Sequence, residues 1–546
     1  MNISLAQFII KELTALGIHS FCLCPGGRAA PFIEILSHSK GLNLFYFFEE
    51  RSAGFFALGR AYRDRNPVAI ICTSGTAVTE LLPSITEAYY SSVPLILITA
   101  DRPLDFGKKG SPQTLKNTIN IFKDYCLFSQ NISKKSDLDS LNLKVLMKNY
   151  PYKRYYEQIK TSKKIAGLSY SNSIHLNVCF DEPLVDKAVK TFHFLKIKKN
   201  SFVLKNNFKN NNSEKQFSLF FKKCKKPLIL VSSLKKEEQT KIKSLLKNYP
   251  NPIYVEALSN LQSDIPSFMS GEPILNYAVK TKQIDGVIRL GGVPRTRFWR
   301  DLEKYKLPVL NLSSAPHYSA LSRKSFNLPL FFNIDKLKKY LLNLKDFGSA
   351  LKNIDHIQLE KYLKILKQHP ESEEAWFWTI KKSLKSNSKI FLGNSSPIRF
   401  WDKMLFYPKK NIHISGQYGV NGIDGLVSRF FGECESKKHN IAILGDLSLL
   451  YDMAGFWNSK KIPDWSLIVI NNKGGQIFSR LFNNPAFLNS HNLSFKALAN
   501  LWSLNYKSYK KNHNFKCNKA HTLIEICPTN SDTKACFKKY RALWKI

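Results

Sequence analysis

Asp446, Asn472 and Gly474 are the residues whose types and spacing point most directly to chemistry. Asp446 follows the apolar run Ile441-Ala442-Ile443-Leu444 and one glycine, and Asn472 follows a second apolar run, Leu467 to Ile470. Short apolar runs stopped by polar turn residues read as buried strands. With one helix between them, the runs form a parallel pair joined by a right-handed crossover, which sets Asp446 and Asn472 side by side at one sheet edge. A carboxylate, an amide oxygen and a backbone carbonyl from the flexible Gly474-Gly475 pair suit a hard cation. Mg²⁺ fits, with Mn²⁺ as a substitute, because it keeps few protein ligands and completes its octahedron with water and phosphate oxygens. The N–H groups of Leu447 and Ser448, at the start of the following helix, could hold the same phosphates. In outline this is a diphosphate-and-metal site.

Other candidates stand where apolar runs end. Glu50 comes just after Leu44 to Phe48, so its carboxyl is partly desolvated, which raises its pKa and favours proton sharing; the alternative is a carboxylate stabilised by a helix N-terminus. Arg28 follows Pro25-Gly26-Gly27, Arg102 follows Ala100-Asp101, and Gln113 lies in the loop beyond. Arg297 closes the segment Gly291 to Arg297, and Arg399 follows Asn394-Ser395-Ser396-Pro397. Guanidinium groups on such a rim pair bidentately with carboxylate or phosphate, although each could equally be a surface arginine of an ordinary loop.

The elements that must position these groups alternate strand and helix along the chain. Ser4 and Gln7 suggest a capping box opening a helix that runs to about Leu16 and ends at Gly17. Strands are expected at Phe21 to Cys24, Leu44 to Phe48, Val68 to Cys72, Pro94 to Thr99 and Ile174 to Phe180. A second set falls at Pro227 to Ser232, Ile253 to Glu256 and Gly286 to Leu290, and a third contains the strand ending at Gly393 and the two flanking Asp446 and Asn472. This alternation is that of parallel α/β sheets. The lysine-rich stretch after Pro183 through Asn212, with Lys198-Lys199-Asn200 and Lys205-Asn206-Asn207, reads as a linker. The expected domains are 1–185, 213–345 and 372–546.

Gly445-Asp446 followed at a set distance by Asn471-Asn472 is similar to the thiamine-diphosphate signature. The segments CPGGRAAP, EERSAGFFALGRA, TSGTAVTELLPSITEA and TADRP resemble, in order, the amino-terminal domain of the thiamine-diphosphate enzymes of menaquinone biosynthesis. The resemblance implies three parallel-sheet α/β domains of the thiamine-diphosphate enzyme type. It assigns Asp446, Asn472 and the Gly474 carbonyl to the metal, and Glu50, Ile423, Leu447, Ser448 and Asn472 to the cofactor. Glu50 and Gln113 become catalytic, and Arg28, Arg102, Gln113, Arg297, Ser395 and Arg399 bind substrate. Ile423 would lie beneath the cofactor and bend it. The implied activity is decarboxylation of 2-oxoglutarate and addition of the resulting succinyl-semialdehyde carbanion to isochorismate. The implied assembly is a homodimer or a dimer of dimers with active sites at the interface.

The chain also departs from that pattern. Gly27 and Ala29 stand where serines are expected, Tyr418 where an arginine is, Phe298 where a second basic residue is, and Ala454 where an asparagine is. Arg295, Arg300 or Lys403 are candidates to compensate. Another thiamine-diphosphate-dependent 2-oxo-acid decarboxylase or carboligase, with a different acceptor, is the alternative these changes suggest.

Composition sets outer bounds. A chain of 546 residues holds several domains with a sizeable core. Its 82 Lys and Arg against 41 Asp and Glu give a net charge of +41, which favours anionic partners. The lysines are scattered among asparagines without aromatic interleaving or a nucleic-acid motif, so they read as solvated surface and no nucleic-acid partner is expected. A basic nucleic-acid-binding protein on a retired enzyme scaffold is the alternative of a different class; it predicts strongly salt-dependent binding without cofactor uptake. Ten cysteines without a CxxC pair, several inside apolar runs, suggest reduced thiols in a cytoplasmic chain. Lys11 and Glu12 interrupt the first apolar run, which argues against a signal peptide, and no stretch is long enough to span a membrane.

Overall fold

The computed structural model describes residues 1–139, 173–193, 211–313, 325–407, 411–517 and 520–544. Most of the lysine-rich linker expected up to Asn212 lies outside the described residues.

Apolar runs in the first part of the chain become strands β1 (Ser20–Leu23), β2 (Asn43–Tyr46), β3 (Val68–Cys72), β4 (Leu95–Asp101), β5 (Ser129–Ile132) and β6 (Ile174–Cys179). They form one parallel sheet in the order β2-β1-β3-β4-β6-β5. β3 and β4 are buried along their whole length, as expected of strands covered on both faces. A second parallel sheet takes β7 (Pro227–Val231), β8 (Ile253–Val255), β9 (Gly286–Leu290), β10 (Val309–Ser313) and β11 (Phe326–Pro329) in the order β8-β7-β9-β10-β11. The third holds β12 (Ser388–Leu392), β13 (His413–Gly416), β14 (His439–Gly445), β15 (Trp465–Ile470), β16 (Asn505–Tyr509) and β17 (Thr522–Ile526) in the order β13-β12-β14-β15-β17-β16.

The chain divides into two compact units. The first comprises residues 1–205 with 417–436 and 448–463; the second comprises 206–416, 437–447 and 464–546. The first sheet lies in the first unit, and the other two lie in the second.

Helix α1 (Asn2–Ala15) buries Ile3, Ala6, Ile9, Ile10 and Leu13, the i, i+3, i+4 stripe of an amphipathic helix, against the first sheet. The expected capping box at Ser4 is a correction: the helix already starts at Asn2. Its first N–H groups donate to a distant carboxylate, Asn2 N to Asp186 Oδ2 at 2.7 Å and Ile3 N to Asp186 Oδ1 at 3.1 Å. Ser4 instead accepts from Lys187 Nζ at 2.8 Å.

In the first unit α2 (Glu50–Asp64) crosses α3 (Leu426–Glu433) through two glycines. A Cβ on Gly59 would meet Arg429 O at 2.1 Å, and one on Gly432 would meet Phe56 O at 2.1 Å, so only glycine allows the backbones this close. The single crossover helix expected between β14 and β15 is two pieces, an α-helix at Asp446–Tyr451 and a 3₁₀ helix at Met453–Lys461. Among the described residues no helix is long and apolar enough to cross a membrane. The ten cysteines are all free, and every one but Cys527 is buried.

Candidate functional site

β14 and β15 pair in parallel register with Gly445 opposite Ile470. Asp446 and Asn472 therefore leave neighbouring strands at the same end, as the sequence predicts. Asp446 is 3 % exposed; its Oδ1 accepts from Leu447 N at 2.7 Å and its Oδ2 from Gly474 N at 2.9 Å, while His491 Nε2 lies 3.2 Å from Oδ2. Burial pushes the Asp446 carboxyl up, against those two N–H donors and His491. A cation beside it would return it to the ionised form. Gly474 turns at φ +127°, and a Cβ there would meet Leu488 O at 2.5 Å, so the turn that brings its N–H to Asp446 requires glycine.

Asn472 donates its Nδ2 to Glu373 Oε1, while its Oδ1 is buried with no hydrogen-bond partner. A buried acceptor left bare costs about 1–3 kcal/mol. Here the bare atom is the oxygen of the residue type that a hard cation takes, in the corner that holds a buried carboxylate, so the residues present fit a divalent ion. Among the described residues no group of three His, Cys, Asp or Glu could hold a metal, so an oxygen site of mixed donors is the candidate. Of the two N–H groups expected to meet phosphate, that of Leu447 is engaged by Asp446; Ser448 is buried.

In the first unit Glu50 is the first residue of α2 and half-buried, and burial, aided by Glu49 and Glu80, pushes its carboxyl up. The capping work belongs to its neighbour: Glu49 Oε2 accepts from Ser52 N at 3.0 Å and from Ser52 Oγ. Glu49 is therefore the N-cap, while Glu50, in the first turn of α2, also has the helix-N-terminal placement of the alternative reading, its backbone hydrogen bond working against the upward push of burial.

The rim arginines differ in what holds them. Arg102 Nη1 donates to Ser74 Oγ at 3.2 Å and to Gln113 O at 3.1 Å. It thus gathers three candidate segments, with Gln113 exposed at φ +59°. Arg28 is tied to Phe180 O at 3.2 Å and to Glu182 at 3.0 Å. Arg399 donates to Ser395 O one turn back, and Arg297 is 57 % exposed, with Asp301 at 3.8 Å. Of the residues expected to compensate for missing basic groups, Lys403 is buried against Glu374 at 3.5 Å and over the Tyr540 ring, so it is committed to the core.

Ile423 is half-buried in the loop before α3. That loop hangs on a residue the sequence reading did not single out, Glu87. Its Oε1 accepts from Tyr418 N at 3.0 Å and Gly419 N at 2.6 Å, its Oε2 accepts from Val420 N at 2.8 Å, and Arg429 Nη1 lies 3.2 Å from Oε1. Glu373, Arg429 and Asp452 were missed likewise; Asp452 accepts from Ser428 N at 2.7 Å, and burial pushes it up to about 7. The only signal was a charge within an otherwise apolar helix or loop, as in PSITEAYY and LVSRFFGE.

A parallel-sheet corner with a buried aspartate and a bare asparagine oxygen, and a partly desolvated glutamate opening a helix in another α/β unit, are the donor types expected of a thiamine-diphosphate enzyme, and similarity to known proteins places the chain in that class. Residues 3–121 match the family described as "Thiamine pyrophosphate enzyme, N-terminal TPP binding domain". The fold is that of a benzoylformate decarboxylase from Polynucleobacter necessarius (TM-score 0.69, 14 % identity, 96 % of this chain and 98 % of that one). It is also that of a putative thiamin diphosphate-dependent enzyme from Mycobacterium smegmatis (TM-score 0.66, 14 % identity, 96 % and 99 %). Along its whole length the chain is 35 % identical to the 2-succinyl-5-enolpyruvyl-6-hydroxy-3-cyclohexene-1-carboxylate synthase of Bdellovibrio bacteriovorus, covering 100 % of this chain and 99 % of that one. It is 28 % identical to the synthase of the same name from Flavobacterium johnsoniae, covering 99 % and 98 %. The chain belongs to the 2-succinyl-5-enolpyruvyl-6-hydroxy-3-cyclohexene-1-carboxylate synthase family.

Proposed function

We propose that this enzyme decarboxylates 2-oxoglutarate and joins the remaining four-carbon unit to isochorismate, giving 2-succinyl-5-enolpyruvyl-6-hydroxy-3-cyclohexene-1-carboxylate and CO₂. It is on this reading a C–C-bond-forming transferase. Its domains are 1–185, 213–345 and 372–546, and it works in the cytoplasm. The observation that carries the cofactor grip is the bare Oδ1 of Asn472 beside buried Asp446. The substrates rest on full-length similarity to relatives that bear the synthase's name.

Thiamine diphosphate, when bound, supplies a thiazolium carbon that can stabilise the carbanion left by decarboxylation. The chain's own residues do the rest. Asp446, Asn472 and the Gly474 carbonyl would hold Mg²⁺, whose charge would offset that of the diphosphate. Leu447 and Ser448 would turn their N–H groups to the same group, that of Leu447 only once Asp446 releases it to take the metal, and Ile423 would support the cofactor. Glu50, whose carboxyl burial pushes up from its ordinary value, would share a proton with the aminopyrimidine, a second copy of the chain contributing it across a homodimer interface. Gln113 sits on the loop that Arg102 braces and aids proton movement at the substrate end. Arg28, Arg102, Arg297, Ser395 and Arg399 receive the carboxylates of two polyanionic substrates.

The test is CO₂ release by the purified chain with thiamine diphosphate and Mg²⁺, with and without isochorismate, across a panel of 2-oxo acids. Consumption of 2-oxoglutarate with coupled loss of isochorismate is the expected result. Turnover of a different 2-oxo acid, with isochorismate untouched, would replace the substrate assignment and leave the cofactor site standing.

A further inference from the structure

Asn472 has to present one particular end of its side-chain amide to the metal corner. The two ends are of nearly equal size, and the torsion that exchanges them is broad and roughly two-fold, so packing alone does not choose between them. The choice is made by Glu373, 99 residues away in sequence and 1 % exposed, whose Oε1 accepts from Asn472 Nδ2. With the amide turned round, two acceptor oxygens would face each other in a buried site. As it stands, Oδ1 is the end left without a partner.

Glu373 is itself held on several sides. It opens the helix Glu373–Ser383, which Ser372 caps by accepting from Ala375 N at 3.2 Å, and its own N–H donates to Thr533 Oγ1 at 3.1 Å. Arg480 Nη2 lies 3.9 Å from Glu373 Oε2 and 3.9 Å from Glu374 Oε1. The Arg480 guanidinium is pinned over the Phe537 ring at 4.4 Å and the Phe400 ring at 4.9 Å. The backbone of Asn472 is fixed too, its carbonyl accepting from Asn530 Nδ2 at 3.2 Å.

We propose that Glu373, steadied by Arg480, is the positioning residue that fixes the amide of Asn472 with its oxygen towards the divalent ion. The inference rests on the reading that Asp446 and Asn472 hold that ion. Outer partners of metal ligands govern affinity by fixing ligand orientation, and their loss typically weakens metal binding about 10–100-fold. Selecting one end of an amide is a narrower task than packing, and it makes a prediction that packing does not. An aspartate at 472 has two equivalent oxygens and needs no selector.

The experiment is Mn²⁺ binding to the full chain in saturating thiamine diphosphate, followed by electron paramagnetic resonance, with Mg²⁺ calorimetry in parallel. Four proteins are compared: wild type, Glu373→Met, Asn472→Asp, and the double variant. Glu373→Met fills similar space without an acceptor and is expected to weaken Mn²⁺ about 10–100-fold. In the Asn472→Asp background the same change is expected to leave affinity unchanged or to raise it. A loss of equal size in both backgrounds would mean that Glu373 acts by packing alone, and would overturn the inference. So would Glu373→Met with wild-type affinity. Should Glu373→Met fail to fold, Glu373→Asp, which keeps the acceptor on a shorter arm, carries the same comparison with a smaller loss. If the wild type takes up no Mn²⁺, the metal reading falls and the inference falls with it; if wild type binds and Glu373→Met weakens binding equally in both backgrounds, or in neither, the inference falls alone.

Discussion

Two buried acidic positions, one in each unit, use the same materials to different ends. In the first unit Glu87 is fully buried and surrounded by donors: three successive backbone N–H groups from Tyr418 to Val420, and Arg429, which Glu433 also engages at 3.0 Å. In the second unit Asp446 likewise accepts two backbone N–H groups, but its neighbour Asn472 keeps a buried oxygen unpaired. Buried polar groups are almost always satisfied, so a complete donor set marks architecture, whereas a bare acceptor in a polar corner marks a place where something else belongs. The contrast teaches that burial alone does not pick out a site.

The comparison breaks most visibly at Asp446. Asp446→Ala is expected to abolish Mg²⁺-dependent retention of thiamine diphosphate, read by dialysis and calorimetry on protein shown to be folded. Retention at wild-type strength would move the metal elsewhere. Next in size is Glu50→Gln, which should keep the fold and the cofactor but lose turnover by roughly 10²–10⁴-fold, the usual worth of a positioned proton-sharing group. Near-normal turnover would remove Glu50 from the chemistry. Glu87→Ala should do the opposite of Asp446→Ala. By leaving three buried N–H groups without an acceptor and Arg429 with Glu433 as its remaining partner, it should cost about 3 kcal/mol or more of stability in urea unfolding. A variant as stable as wild type would show that the clamp is not architectural.

What could be read from sequence follows the same division. β3, β4, β14 and β15 were legible because a strand buried on both faces is a largely apolar run, and the ends of β14 and β15 located the candidate metal corner. β10 and β11 were not expected, and α1 was given the wrong cap, because the acceptor of its first N–H groups is Asp186, far along the chain. The Glu49-Glu50 pair could be seen as important, but not which member caps the helix; that depended on Ser52 turning to Glu49. Glu87 and Glu373 were invisible for a common reason. Each acquires meaning only from partners hundreds or tens of residues away, and a single acidic letter in a helix carries no trace of them.

His175 is the case that tests how far a bare buried atom can be trusted as a mark of function. Its ring lies inside the first sheet with its edge on Phe122, centroids 4.9 Å apart, and its Nε2 is 2.8 Å from Thr99 Oγ1. The Thr99 hydroxyl donates to Asn177 Oδ1 at 2.7 Å, so its oxygen accepts from His175; this assigns the proton to Nε2 and leaves Nδ1 without a partner. Burial pushes its pKa down to about 3. The unfolded chain therefore takes up a proton near pH 6.5 that the folded chain refuses until about pH 3, and stability falls as pH falls between those values. At pH 5.5 this group alone should cost about 1.4 kcal/mol relative to alkaline pH. His175→Gln, whose amide can still donate to Thr99, should lose that much less stability than wild type between pH 7.5 and 5.5 in urea titrations. Equal losses in the two proteins would mean that His175 takes up a proton in the folded chain too, which would remove the contrast between an unpaired atom in an apolar core and one in a polar, metal-ready corner.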